Sequence, residues 1–555
     1  MNQEIKICQN CKNQFAIAPD DFSFYQKMGV PTPVLCPDCR FKRRAAFRNE
    51  FRLYNRKCDL CSQSIVSMYH PKASYTVYCP DCWYSDKWDP FAYGRDYDLK
   101  RPFFEQLQVL VRAVPKYALY RSGVLPSVNS HYENFSGGNK DCYLVANSGT
   151  GNENCAYSRG LIKSRDVYDS YYVDESERIY EGVGVHNSAG VLWAQNAIEC
   201  LDSAFLISGT GLQNCFGCVN LRHQKHHFLN EAFSKEEYHR CVAGILGSWR
   251  ASEEFRKRFE EFSLRFPRRA TSNLKSVNVD GDYIFESKNC HAAFELSYCE
   301  NVSNAFSVKL AKDAYDLIGH GRSSELLLET VASGFSSRNI AGWAVENCQY
   351  VEYSLATHGS KYCIGCDGIK KAEYAILNRR YSEDEYKKIR AHIIEELKQQ
   401  GEYGLFFPPA LALFAYNETI GQENLPMTKE AALAQGFRWE DKLQMTTGKE
   451  TMSPEQIPDH IKDVPDSILN EVLACISCGR NYRLIRSELE FYRRMILSIP
   501  RRCFFCRHAD RIRRRGPMKI FDRICNRCKK PIKTTYAPGR PEIVYCEQCY
   551  NAEVL

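Results

Sequence analysis

The 555-residue chain has no run of about 18 apolar residues, the length a helix needs to cross a bilayer, so no membrane span is expected. Its first residues, MNQEIKICQN, lack the apolar core of a secretory signal, and the chain reads as cytoplasmic. It shows no long alternation of strand and helix patterns, which argues against an α/β fold. It also shows no pair of carboxylates and no Cys/His constellation placed for catalysis, so the sequence assigns no enzymatic reaction. Net charge is only +7, too small a sum to point to a partner by itself.

Hydrophobic residues make up 44% and charged residues 25%, a globular composition, and the length suggests three to five domains. The dominant feature is 27 cysteines. Sixteen stand in C-x-x-C pairs: Cys8, Cys11, Cys36 and Cys39; Cys58, Cys61, Cys79 and Cys82; Cys475, Cys478, Cys503 and Cys506; Cys525, Cys528, Cys546 and Cys549. In a cytosolic chain such pairs favour thiolate–metal chemistry over disulfides. A C-x-x-C turn sets two sulfurs on one side of Zn²⁺, and a second turn carried back by a hairpin supplies the other two. Four structural zinc ions per chain are therefore expected, each supplying on the order of 10 kcal/mol of folding free energy to a module without its own core. Consecutive pairing and a cross-braced pairing (Cys8, Cys11, Cys58 and Cys61 on one metal) both use these cysteines.

Every C-terminal cysteine of the set lies 467 positions after an N-terminal one, as do Phe491 after Phe24, Tyr492 after Tyr25, Met495 after Met28, Arg523 after Arg56 and Tyr545 after Tyr78. This is an internal duplication without insertion or deletion. The segment ICQNCKNQFAIAPDDFSFYQKMGVPTPVLCPDCRFKRR, within residues 4–44, resembles a "probable zinc-ribbon" family with the pattern C-x-x-C, F-Y-x-x-x-G, a proline and C-P-x-C-R. That family occurs as a single module, which implies consecutive pairing. The C-terminal copy departs from the pattern by placing Ile496 where Gly29 stands. The wider layout, with CDLCSQSIVSMYHPKASYTVYCPDCWYSDKWDP, resembles large bacterial zinc-ribbon and β-solenoid proteins sometimes labelled CaiB/BaiF CoA-transferases; nothing in the strand and helix pattern supports that activity.

The middle of the chain repeats at a different offset, 148, which maps Cys142 to Cys290, Cys215 to Cys363, Cys218 to Cys366 and Asn230 to Asn378. A shorter period runs within each copy. Cys142, Cys155, Val167, Ile179, Val191, Ser203 and Cys215 step by 12 or 13, and Cys290, Val302, Ala314, Leu326, Ile340, Val351 and Cys363 by 11 to 14. Asp or Asn often precedes the anchor, as at Asp141, Asn154 and Asp166. Such periodicity in Ser-, Gly- and Asx-rich sequence predicts a parallel β-solenoid with an inward ladder of Cys, Val and Ile. Two steps, about 24 residues, are expected to make one coil. Capping boxes at Ser234/Glu237 and Ser382/Glu385 predict a helix closing each copy.

The fold expected is mainly β and multidomain. Duplicated tandem zinc ribbons (1–50 and 51–90; 466–516 and 517–555) flank a duplicated solenoid (129–265 and 266–400), with a helical linker at 91–128 and a connector at 401–465. Cys215, Cys218, Cys363 and Cys366 offer a fifth metal site if the two copies meet; the other reading has them packed as small apolar groups. The cluster His223, His226 and His227 offers a metal or phosphate site, or simply decorates a solvated strand.

Charge is segregated. Residues 40–57 and 501–523 together carry 17 basic and three acidic residues, a net of +14, which leaves the remainder near −7. Arg40, Lys42, Arg43, Arg44, Arg48 and Arg52 in the first, and Arg501, Arg502, Arg507, Arg511, Arg513, Arg514 and Arg515 in the second, are candidate nucleic-acid contacts, RNA before DNA; the first stretch is expected as a helix with its basic face outward, while Gly516-Pro517 interrupts any helix in the second. Alternatives are a solvated or internally paired charged face, a protein-interaction module or homo-oligomer, and a β-helix enzyme acting on carbohydrate.

Overall fold

The structure, a computed structural model, describes residues 3–121 and 125–554. It is mainly β and consists of two compact units. One comprises residues 1–119 and 273–443, the other 120–272 and 444–555. Each contains one solenoid copy and one pair of cysteine modules, but the pairing crosses the chain order. The N-terminal modules share a unit with the second solenoid copy, and the C-terminal modules with the first.

The solenoid coil is 12 residues, not the 24 expected. Strand Arg165–Tyr168 pairs in parallel with Glu177–Tyr180 (Val167 opposite Ile179), while Tyr171–Asp174 pairs with Val183–His186 (Val173 opposite Val185). Two short strands six residues apart thus belong to one coil, and each meets its equivalent in the next. The chain can turn this tightly because every third residue has positive φ: Lys163, Asp166, Asp169, Tyr172, Glu175, Arg178 and Glu181 lie between +47° and +60°. Four left-handed corners close a square. Asn and Asp tolerate this conformation best among residues with a Cβ, which explains the Asx that often precedes an anchor. They also pair between coils, Asn289 donating to Asn301 (3.0 Å) and Asn301 to Asp313 (2.7 Å).

One residue in three points inward, where small polar and aliphatic side chains fit: Val167, Ser170, Val173, Ser176, Ile179, Gly182, Val185 and Ser188, with leucines such as Leu161 and Leu206 on nearby coils. The serines satisfy backbone groups that would otherwise be buried unpaired. Ser170 Oγ donates to the Tyr168 carbonyl (2.9 Å) and accepts from the Gly182 N–H (3.1 Å), and Ser176 repeats the pattern with Asp174 and Ser188. Cysteines occupy the same ladder. Cys348 Sγ donates to the Glu346 carbonyl (3.2 Å) and accepts from the Ser360 N–H (3.4 Å). Ten of the 11 cysteines outside the knuckles lie in these interiors.

In the second copy the register differs from the sequence reading. Ala314 is opposite Leu327, and Leu327 opposite Asn339. Leu326 is a corner residue and Ile340 lies one place past the anchor; a single 13-residue coil replaces the irregular steps. Each solenoid ends in an antiparallel hairpin turned at Asn230 or Asn378 and then a helix, Lys235–Val242 or Glu383–Gln399, with both capping boxes formed.

A third duplication emerges from the packing. Helices Phe103–Ala113 and Trp249–Ser263 are related by an offset of 152, visible in Phe103/Phe255, Leu107/Phe259, Pro115/Pro267 and Ala118/Ala270. A Cβ on Gly365 would come within 2.8 Å of the Phe103 ring, and one on Gly217 equally close to Phe255, so both aromatic rings seat against a glycine corner of a solenoid. The helix preceding the first solenoid thus covers the second, and the helix preceding the second covers the first.

Candidate metal centres and arginine clamps

The 16 knuckle cysteines gather into four groups of four: Cys8, Cys11, Cys36 and Cys39; Cys58, Cys61, Cys79 and Cys82; Cys475, Cys478, Cys503 and Cys506; Cys525, Cys528, Cys546 and Cys549. Pairing is consecutive and not cross-braced. Within each group all sulfurs lie within 4.8 Å of one another. Sulfur–sulfur separations of 3.6 Å (Cys11–Cys36), 3.9 Å (Cys61–Cys79), 3.7 Å (Cys478–Cys503) and 3.7 Å (Cys528–Cys546) are far too long for disulfides. They match the edge, about 3.8 Å, of a tetrahedron with sulfur about 2.3 Å from its centre, the geometry of zinc. The donor set therefore fits Zn²⁺, with no ligand position left for a substrate water.

Local backbone builds each knuckle in the same way. The residue after the second cysteine turns left-handed (Lys12, Ser62, Gly479 and Lys529, φ between +61° and +69°), and its N–H bonds the carbonyl of the first cysteine at 2.9–3.0 Å. Amide N–H groups also converge on the first sulfur: Cys36 on Cys8 (3.3 Å), Cys79 on Cys58 (3.2 Å) and Cys546 on Cys525 (3.3 Å). Burial raises the thiols of Cys58, Cys475 and Cys525, but backbone N–H groups outweigh it and bring them down to about 7, 7 and 6. Cys8 is lowered in the same sense, burial again opposing. These first sulfurs are thus favoured as thiolates, whereas burial and the neighbouring sulfurs raise Cys82, Cys503, Cys506 and Cys549 in the same groups.

Arg40, Arg44 and Arg48 do not present a basic face to solvent as expected. All three are buried, because the helix Pro37–Ala45 and the turn after it lie against the solenoid with that face inward. Arg40 donates to both Asp316 oxygens (3.1 and 3.2 Å) and stands 3.3 Å from Glu329; Arg44 pairs with Glu329 and lies 3.3 Å from Asp316. Arg48 donates to Glu50 (2.7 Å) and to the Ile318 carbonyl (3.0 Å). Arg43 forks onto Glu402 (2.7 and 3.0 Å).

The second unit repeats the clamp at the duplicated positions. On the helix Phe504–Arg515, Arg507 donates to Asp169 (3.0 Å), and Arg511 to Asp169 (3.0 Å) and Glu181 (3.2 Å). Arg514 pairs with Glu181, and Arg515 donates to the Tyr171 hydroxyl (2.9 Å). Arg502 pairs with Asp510, while Arg501 donates to the Ile457 carbonyl (3.0 Å) and lies over the Trp249 ring. Arg513 is the exposed one, with Asp510 at 2.9 Å; Lys42 and Arg52 are half-buried. An aromatic pair locks each joint: Phe24 stacks on Tyr315 with ring centres 3.8 Å apart, and Phe491 on Tyr168 at 4.3 Å.

The acidic half of each clamp, Asp316 with Glu329 and Asp169 with Glu181, was not singled out by the sequence. Its signal was present: all four occupy the same corner on successive coils, and Asp169 and Glu181 are one 12-residue step apart.

Cys215 and Cys218 lie in the interior of the first solenoid, Cys363 and Cys366 in that of the second. Each is hydrogen-bonded to its own backbone, as Cys218 is to the Phe216 and His227 carbonyls (3.6 and 3.5 Å), and no fifth metal group forms among the described residues. His223 and His226 occupy different corners of a coil, and His227 bonds the Lys225 carbonyl (2.9 Å); the structure does not gather the three.

Fold and sites together define a class, a duplicated parallel β-solenoid protein with four tetracysteine groups suited to zinc. No protein-family model matches the chain, and no curated protein is significantly similar to it. The likeness to zinc ribbons rests on the four cysteine groups themselves. No helix among the described residues is long and apolar enough to cross a membrane.

Proposed function

We propose that the protein is a zinc-stapled scaffold, in which four structural zinc ions hold arginine-bearing helices in acidic sockets on two solenoids. The observation that carries this reading is positional. Cys36 is the N-cap of the helix that delivers Arg40 and Arg44, with Cys39 in its first turn; Cys503 and Cys506 stand in the same relation to Arg507 and Arg511. Metal and clamp share one rigid element, so a metal that fixes the knuckle also aims the arginines.

The segregated charge that suggested a nucleic-acid partner is engaged by the protein's own carboxylates in this arrangement. Binding RNA or DNA through Arg40, Arg44, Arg507 or Arg511 would require opening a clamp, and leave two buried carboxylates unpaired. A carbohydrate-cleaving site in the sockets is disfavoured on the same ground, since guanidinium groups fill them. The test is metal analysis of the purified chain, followed by chelation and limited proteolysis. Four zinc ions per chain, and new cleavage within 37–57 and 503–523 after chelation, are expected. Fewer than four zinc ions, or unchanged resistance after chelation, would discard the reading. RNA binding by the zinc-loaded protein with a steep salt dependence would replace it.

A further inference from the structure

The two clamps are made by two different chain routes. In one unit the arm, residues 1–119, precedes its solenoid by more than 150 residues; in the other the arm, residues 444–555, follows its solenoid after a similar interval. Yet the joints match residue for residue: Arg40 with Arg507, Arg44 with Arg511, Asp316 with Asp169, Glu329 with Glu181, and the stacked rings of Phe24 and Tyr315 with those of Phe491 and Tyr168. The joint is therefore indifferent to how arm and socket are covalently connected.

The C-terminal arm also has a release point. The chain passes between units at 443/444 inside the run Asp441–Glu450, which is exposed at every position but Leu443 and contains Gly448 at φ +65°. Beyond it the arm is held by discrete contacts within 120–272. Besides the clamp these include the parallel pairing of Val544–Tyr545 with Arg268–Arg269, the seating of Asp459 and Ile461 on residues 247–250 (Trp249 N–H to the Asp459 carbonyl 2.9 Å, Ile461 N–H to the Gly247 carbonyl 2.9 Å), Arg501 over Trp249, and Tyr550 donating to Asn220 (2.8 Å).

We propose that residues 444–555 form an exchangeable arm whose partner is a second copy of this chain, two molecules reciprocally seating their arms on each other's first solenoid. No new contact is needed. The same acidic socket and aromatic pair receive an arm from outside, as a symmetric swapped dimer. In the monomer the tether raises the local concentration of the arm, so exchange is favoured when arms are released together at high protein concentration. The proposal rests on the zinc-stapled reading, because an arm must keep its shape while undocked.

Complementary charge reversal tests it. One full-length chain carries Asp169→Arg and Glu181→Arg, the other Arg507→Glu and Arg511→Glu. Each alone is expected at monomer mass with its arm open to cleavage in 441–450. Mixed, they are expected to form a one-to-one species of twice that mass by light scattering. Wild-type chain, denatured and refolded with zinc, supplies a measurement that needs no variant; its dimer fraction should rise with refolding concentration. Failure of the two variants to associate while each retains four zinc ions overturns the proposal, and so does a wild-type chain that is monomeric at every refolding concentration. A zinc count below four in the wild type would instead count against the scaffold reading.

Discussion

Arg40 grips both oxygens of Asp316, at 3.1 and 3.2 Å, across 276 positions of sequence, with both side chains almost wholly buried. A buried pair of this kind is costly to break from one side, because the remaining charge has lost its solvent and its partner. Asp316→Asn should therefore cost about 3–5 kcal/mol, while Arg40→Met with Asp316→Leu should cost much less than the sum of the single changes. Chemical denaturation of the unit containing residues 273–443 measures both.

Replacing Cys36 by Ser removes one sulfur from the first group and leaves the start of the clamp helix intact, since the Cys36 side chain makes no cap hydrogen bond and serine is a good N-cap. The expected result is three zinc ions per chain and selective proteolysis near residues 37–57, with the C-terminal module intact. Loss of all four ions together would mean that the sites are not independent.

Ile496 holds φ +51° where its duplicate Gly29 holds +69°. Both end a helix, and the following N–H reaches back to the preceding turn in each: Val30 to Tyr25 (3.1 Å) and Leu497 to Tyr492 (2.8 Å). A β-branched residue is strained in this conformation, and Ile496 is 60% exposed, so its side chain returns little by packing. Ile496→Gly should stabilise the C-terminal module by about 1 kcal/mol, read as a rise in its melting temperature.

Burial pushes the Glu488 carboxyl up to about 7, against the opposing charge of Arg507 at 3.5 Å. A carboxyl raised on folding binds more protons in the native state than in the unfolded chain between roughly pH 4.5 and 7. Its contribution to stability therefore falls as pH rises through that window, by about 3 kcal/mol in all. Glu488→Gln should flatten this dependence, and stability of the two proteins compared at pH 5 and pH 7.5 checks the sign.

Much of this architecture was legible because the chain repeats itself. The 467 offset fixed the cysteine groups, and the resemblance to a single-module family implied the consecutive pairing found. Periodicity revealed the solenoid but misjudged its coil. Twelve residues seem too few until every third residue is allowed to be left-handed, and side chains such as Tyr172, Glu175 and Arg178 give no local hint of that conformation. The arginines were visible but their direction was not, since the carboxylates that receive them lie hundreds of positions away. The offset of 152 escaped notice because only aromatic and aliphatic size, with one proline, survives in it; the glycine corners at Gly217 and Gly365 make it evident.

The crossed chain order sets a timetable for synthesis. Arg40 leaves the ribosome 276 residues before Asp316, and at about 5–20 residues per second the N-terminal arm waits roughly 15–60 seconds for its socket. The C-terminal arm, by contrast, meets a solenoid already complete. The two clamps, alike when finished, are closed under different conditions. The first must be stored open by a growing polypeptide, and the second closes when the chain is released.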